Sequence, residues 1–206
     1  MKSDGSRVYT WGYNWGGQLG NNTTTQSLVP VEVRGVGGVG FLSDICQIAA
    51  GYSHTVALKK DGSRVYTWGC NDYGQLGNNS TTQSLVPVEV LGVGGVGFLS
   101  DICQIAAGSY HTVALKSDGS RVYTWGYNDY GQLGNNTTTN SLVPVEVLGV
   151  GGVGFLSDIC QIAAGGYHTV ALKSDGSRVY TWGYNWGGQL GNNTTTHPRP
   201  QPELKN

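Results

Sequence analysis

The chain has 206 residues, with 12 Lys+Arg against 13 Asp+Glu for a net charge of −1, and it carries 34 glycines. Charged residues make up 12%, about half the usual ~25%, which excludes a basic nucleic-acid-binding surface and a polybasic membrane module. Six Trp and twelve Tyr exclude a disordered composition, and apolar runs of about five residues fall far short of the ~20 needed to span a bilayer.

Internal repetition dominates the rest. Val-Tyr-Thr-Trp-Gly begins at Val8, Val65, Val122 and Val179, a step of 57 residues. His54, His111 and His168 keep that step, as do Cys46, Cys103 and Cys160, and Pro30, Pro87 and Pro144. Residues 45–101 and 102–158 differ at six of 57 positions. The chain holds 206/57, about 3.6, units. The spacing divides it into a partial repeat of outer strands over 1–44, repeats over 45–101 and 102–158, a partial repeat over 159–196, and a Pro-rich divergent tail over 197–206.

Met1-Lys2-Ser3-Asp4-Gly5 aligns with Leu115-Lys116-Ser117-Asp118-Gly119, so the chain begins inside a unit. In the unit that starts at Ile102, Ile102-Cys103-Gln104-Ile105-Ala106-Ala107-Gly108 is short, apolar and Gly-terminated, and it predicts a fully buried strand. His111-Thr112-Val113-Ala114-Leu115 is a second strand. Asp118-Gly119 then predicts a hairpin, because glycine accepts positive φ at no steric cost. Val122-Tyr123-Thr124-Trp125 is a third strand, rich in β-branched and aromatic residues. Gly131-Gln132-Leu133-Gly134-Asn135-Asn136 turns the chain into Val143-Pro144-Val145-Glu146-Val147. The proline of this fourth strand cannot donate to a ladder, so the strand belongs at an edge. A glycine-rich loop, Gly149 to Gly154, leads to the next unit. The tail from His197 to Pro202 reads as extended or disordered, with Glu203 in register with Glu146.

Four short strands per unit, the edge strand last, predict an all-β fold: a β-propeller of four-stranded blades. No i, i+3, i+4, i+7 apolar stripe supports a helical repeat. Each tryptophan of the repeat is expected to bury roughly 150–250 Å², worth about 4–6 kcal/mol gross at ~25 cal/mol/Å².

The succession Ile-Ala-Ala-Gly-x-x-His-Thr-Val-Ala-Leu, then Asp-Gly, then Val-Tyr-Thr-Trp-Gly-x-Asn-x-x-Gly-Gln-Leu-Gly, spread over residues 1–196, resembles the regulator of chromosome condensation repeat. The resemblance implies a ring of seven blades. Against that ring the chain is incomplete, and its unit is longer, with the excess in the Gly-Val-Gly-Gly-Val-Gly loop. The family includes exchange factors for small GTPases, inhibitors of β-lactamase, ultraviolet-B sensors and plain protein binders. The light-sensing branch carries Gly-Trp-Arg-His-Thr. Here Gly51-Tyr52-Ser53-His54-Thr55, Gly108-Ser109-Tyr110-His111-Thr112 and Gly165-Gly166-Tyr167-His168-Thr169 lack both Trp and Arg.

Several motifs reduce to architecture. Gly35-Val36-Gly37-Gly38-Val39-Gly40 and its two copies fit G-x-G-x-x-G by spacing, but a strand follows where a dinucleotide site needs a helix. They read as connectors between blades. His54, His111 and His168 lack acidic or thiol partners at metal-ligand spacing, and each reads as a hydrogen-bonded structural imidazole. Cys46, Cys103 and Cys160, one per unit on the innermost strand, read as small buried hydrophobes, and Cys70, where other units have Tyr, as incidental. The paired asparagines from Asn21-Asn22 to Asn192-Asn193 read as polar turns, with N-glycosylation as the alternative in a secreted protein. One loop varies while keeping a large aromatic: Trp15, Tyr73, Tyr130 and Trp186. These four are the candidate partner-binding residues, and packing on the adjacent blade is the alternative.

The residues thus point to a non-catalytic protein-interaction propeller, part of a longer repeat protein and not an enzyme, with no catalytic residues, cofactor or metal. Two alternatives stay open: a guanine-nucleotide exchange factor for a small GTPase, resting on family resemblance alone, and an inhibitor of a secreted enzyme such as a β-lactamase. The expected partner is another protein, with no nucleic acid and no membrane, and open blade edges invite self-association. Unpaired thiols favour a reducing, cytoplasmic compartment.

Overall fold

A computed structural model describes Met1, residues 4–196 and the backbone of Glu203–Leu204. β1 (Tyr9–Gly12) and β2 (Ser27–Glu32) form a two-stranded antiparallel sheet. Three four-stranded antiparallel sheets follow. The first comprises β3 (Ile45–Ala50), β4 (His54–Lys59), β5 (Val65–Gly69) and β6 (Ser84–Glu89). The second comprises β7 (Ile102–Ala107), β8 (His111–Lys116), β9 (Val122–Gly126) and β10 (Ser141–Glu146). The third comprises β11 (Ile159–Ala164), β12 (His168–Lys173), β13 (Val179–Gly183) and β14 (Glu203–Leu204). Strand order follows chain order within each sheet, so the proline-bearing β2, β6 and β10 lie at the outer edge, as the missing N–H requires. This is the incomplete propeller expected from the repeat.

The tail expectation falls largely outside the described residues, and its one described part differs in register. Leu204 sits opposite Tyr180, whereas in the preceding blade Glu146 sits opposite the corresponding Tyr123. Glu203 is therefore one residue out of the predicted alignment.

The innermost strands are not fully buried. In β7 Ile102 and Ile105 are buried while Cys103 is exposed. A register shift between Ile102 and Gln104 breaks the two-residue alternation, so isoleucines three apart share the packed side and the cysteine turns away from it. Cys46 and Cys160 are likewise exposed. The expectation that these three cysteines are buried hydrophobes is therefore wrong.

Blade packs on blade through one repeated set of contacts. Trp125 is fully buried beside Val56, Val65, Val90 and Ile105. Its indole N–H donates to the carbonyl of Gln75 in the preceding blade at 2.9 Å, and the Thr112 hydroxyl donates to the same oxygen at 2.9 Å. Trp68 with Thr55 on Gln18, and Trp182 with Thr169 on Gln132, repeat this arrangement at 2.9 Å throughout. Gln47 and Gln104 reach across the innermost strands, each accepting from the backbone N–H of an isoleucine one blade on, Ile105 and Ile162, at 2.9 Å. In the two-stranded sheet the same residue types lie open, Trp11 62% exposed and Leu28 97%, and Ile48 of β3 in the next sheet is 41% exposed.

Candidate functional site

Antiparallel order gives every blade two ends. The β3–β4 and β5–β6 connections, with their counterparts in the other sheets, open at one end, here called the loop end. The Asp-Gly hairpins and the glycine-rich connectors lie at the other, the hairpin end. Every described Lys and Arg lies at or beside the hairpin end, and several are engaged there. Arg64 bonds Glu89 at 3.0 Å and lies over the Phe98 ring, 4.6 Å from its centroid; Arg121 does the same with Glu146 at 2.9 Å and Phe155 at 4.3 Å. At the loop end the charged side chains among the described residues are Asp72 and Asp129.

The loop itself is rigidly built. Asn128 is fully buried: its amide donates to the carbonyls of Thr137 and Thr139 at 3.0 Å, and its Oδ1 accepts the Leu133 N–H at 2.9 Å. Asn14, Asn71 and Asn185 occupy the same place in their units. Asn22, Asn79, Asn136 and Asn193 take φ between 58° and 66°, the left-handed turn conformation that asparagine tolerates. The polar-turn reading of the paired asparagines matches this geometry. Gly77 (φ +67) closes the same turn against the next blade, where a Cβ would lie 2.8 Å from Trp125 Nε1.

On this scaffold the aromatic side chains form a connected array. Tyr73 lies 5.3 Å from Tyr110 and 4.8 Å from Tyr127, centroid to centroid. Tyr130 lies 5.7 Å from Tyr167 and 4.9 Å from Tyr184, in edge-on pairs. Trp186, 65% exposed, stands 5.6 Å from Tyr184 at one end of the array, and Trp15, 67% exposed, pairs with Tyr13 at 5.6 Å across a break in it. Of the four candidates, then, Trp15 and Trp186 present open rings, while Tyr73 and Tyr130 are half-buried inside the array. The Tyr127 hydroxyl donates to Asp129 at 3.0 Å, and burial followed by that carboxylate raises its pKa.

The sequence reading missed Tyr52, Tyr110, Tyr127 and Tyr167 as members of this surface. The signal was present: an aromatic stands one or two positions before each repeated histidine. The histidines themselves are architectural. His54 Nε2 lies 2.9 Å from Thr112 Oγ1 in the next blade, and His111 Nε2 lies 3.0 Å from Thr169 Oγ1. Burial lowers the His54 pKa to about 4; burial, with neighbouring imidazoles, lowers that of His111 to about 3. The glycine-rich segments form short 3-10 turns that connect sheets, with β3 beginning at Ile45 and no helix after the loop. Cys70 is half-buried, and burial raises its pKa.

The RCC1-like domain model matches residues 1–206. Over 184 residues the chain is 39% identical to the ultraviolet-B receptor UVR8 of Arabidopsis thaliana, covering 89% of this chain and 38% of that protein. It is 35% identical over 188 residues to the human E3 ubiquitin-protein ligase HERC2, covering 91% of this chain and 4% of the ligase. Among solved structures, human WBSCR16 superposes with a TM-score of 0.79 at 25% identity, over 100% of this chain and 50% of that one. Yeast RCC1 (Prp20), solved bound to Kap60, superposes at 0.77 and 25% identity, over 98% and 45%. The chain thus spans well under two thirds of these relatives. With its sheet order, inter-blade bonding and whole-length match together, the chain belongs to the RCC1-like domain family.

Proposed function

We propose that the chain acts as a non-catalytic protein-interaction module whose docking surface is the loop end, with Trp15, Tyr73, Tyr130 and Trp186 as anchors. The observation that supports this is the aromatic array itself: a run of tyrosines ended by the exposed Trp186, with the exposed Trp15–Tyr13 pair beyond its break, on a blade end that carries no described cation. Aromatic side chains supply large contact area at low entropic cost. Replacing Tyr73 and Tyr130 together with Ser tests it. Partner capture lost with a melting temperature changed by only a few degrees supports docking; a large drop in melting temperature with unchanged capture assigns the two rings to packing.

A second reading, nucleotide exchange on a small GTPase, draws on the likeness to yeast Prp20p, whose structure was reported with its binding to Gsp1p and histones (TM-score 0.76, 25% identity). Release of labelled nucleotide from a panel of small GTPases separates the two: acceleration by the chain sinks the non-catalytic reading. Self-association through the open first sheet is a further proposal. It is checked by sedimentation of the chain against its Trp11→Ser, Leu28→Ser form, which should associate less.

A further inference from the structure

The aromatic array has one break, and it is chemically distinct. Near-identical units diverge there at several neighbouring positions. Cys70 stands where the next unit has Tyr127, Ser53 where it has Tyr110, and Gly16 where the blades on have Tyr73 and Tyr130. These three changes each shorten a side chain, while Trp15 in place of Asp72 and Tyr52 in place of Ser109 set two rings around the space they leave. In place of packed rings there is a cavity of about 550 Å³ lined by Tyr13, Trp15, Tyr52, Ser53, Cys70 and Gln83, with Gly16 beside Cys70. A Cβ on Gly16 would overlap the Cys70 sulfur, so glycine there keeps the space open.

The same substitution changes a charge. In the next unit the Tyr127 hydroxyl donates to the Asp129 carboxylate. Asp72 occupies the equivalent place, and Cys70 offers it no hydroxyl. Asp72 is exposed, and it makes no hydrogen bond or ion pair with the described residues. Three aromatic rings, Tyr13, Trp15 and Tyr52, line the cavity and form an environment that favours an organic cation, and Asp72, outside the lining and two residues from Cys70, adds a negative charge nearby. No described Lys or Arg of this chain lies on that blade end to fill it.

We propose that this cavity is a recognition pocket for the guanidinium of an arginine side chain in a peptide segment of a protein partner. The guanidinium is planar and weakly hydrated, stacks on aromatic faces and pairs with carboxylate. Ser53 and Gln83 supply hydrogen-bond acceptors for its remaining N–H groups. The proposal rests on the reading of the loop end as the docking surface and gives that surface its chemical preference.

The test is titration of the 206-residue chain with the capped peptide acetyl-Gly-Arg-Gly-amide, followed by the Trp15 indole N–H resonance. A peptide carrying citrulline in place of arginine, equal in shape and neutral, is the control. The expected result is saturable binding of the arginine peptide, at least tenfold weaker binding of the citrulline peptide, and at least tenfold loss on Cys70→Tyr. That variant restores the residue the other units carry and is expected to fold. Tyr52→Ala, which removes a lining ring at an exposed position and keeps the Trp15 reporter, gives the same answer if Cys70→Tyr does not fold. Asp72→Asn should weaken the arginine peptide several-fold and leave the citrulline peptide unchanged. Equal binding of the two peptides, undiminished binding by Cys70→Tyr and Tyr52→Ala, or no saturation in the tens-of-millimolar range overturns the pocket. Loss of a protein partner on Tyr73→Ser, Tyr130→Ser despite such a result would leave the loop-end reading standing, so the two failures are distinguishable.

Discussion

His54 donates its Nε2 proton to Thr112, 2.9 Å away across a blade boundary. The direction follows from the hydroxyl: its single proton is directed to the Gln75 carbonyl at 2.9 Å, so the imidazole must be the donor. Thr112 also shares that carbonyl with Trp125. One hydroxyl therefore links an imidazole, a backbone carbonyl and, through it, an indole. Thr112→Val should cost about 1–3 kcal/mol, because it strands a buried donor. Thr55 makes the same carbonyl bond to Gln18 with no histidine behind it, so Thr55→Val should cost less. Denaturant midpoints of the two variants check the order.

The same histidines make stability depend on pH. Unfolded imidazole titrates near 6.5, whereas His54 is held down to about 4 and His111 to about 3. Between these values the unfolded chain binds more protons than the folded one. Stability is therefore full above about pH 6.5 and is lost as pH falls toward the folded values. At ~1.4 kcal/mol per pKa unit, His54 alone accounts for about 3 kcal/mol. The melting temperature should drop steeply between about pH 6.5 and about pH 4; a flat profile over that range would contradict the buried neutral imidazoles.

Equivalent tryptophans should respond unequally. Trp125→Phe removes the indole donor to Gln75 and leaves a gap in a fully buried site, and it should cost about 1–3 kcal/mol. Trp11→Phe, at a position 62% exposed, should stay within about 0.5 kcal/mol. Parallel melts compare them, and equal losses would mean that the first sheet is covered in solution.

Two glycines with similar backbones separate strain from crowding. Gly94 has φ +66 and open space where a Cβ would stand, so Gly94→Ala should cost only the left-handed backbone penalty of about 1–2 kcal/mol. At Gly77, φ +67, a Cβ would meet Trp125 Nε1 at 2.8 Å, so Gly77→Ala should cost at least about 1 kcal/mol more through overpacking. Denaturant midpoints of the two alanine variants measure the difference.

Cysteine labelling checks the corrected innermost strand. Cys46, Cys103 and Cys160 are exposed and should react with a thiol reagent in the native state, while half-buried Cys70 should react more slowly through restricted access. Peptide mapping by mass spectrometry after a short exposure reads out all four.

The departures from expectation share a cause. An unbroken apolar run predicts burial of Cys103, but the register shift after Ile102 turns the cysteine away from the packed side, and such a bulge leaves no mark in composition. Tyr73 and Tyr130 stand out in the sequence because their loop varies. The tyrosines they touch, Tyr110, Tyr127 and Tyr167, belong to other loops and other units, so their meeting depends on blade spacing.

What the sequence determined alone was everything periodic: the 57-residue unit, four strands per unit, the edge position of Pro87 and Pro144, the Asp-Gly hairpins and the connector role of the glycine loops. These are local, because turn conformation and side-chain alternation are set within a few residues. The tertiary structure decided what meets across a blade boundary: Trp125 on Gln75, His54 on Thr112, the tyrosine array, and the cavity where Gly16, Ser53 and Cys70 are all small at once. Those three positions lie 17 to 54 residues apart along the chain. Ser53 and Cys70 meet within one sheet through the pairing of β4 with β5, and only the packing of one sheet on the next brings Gly16 to them.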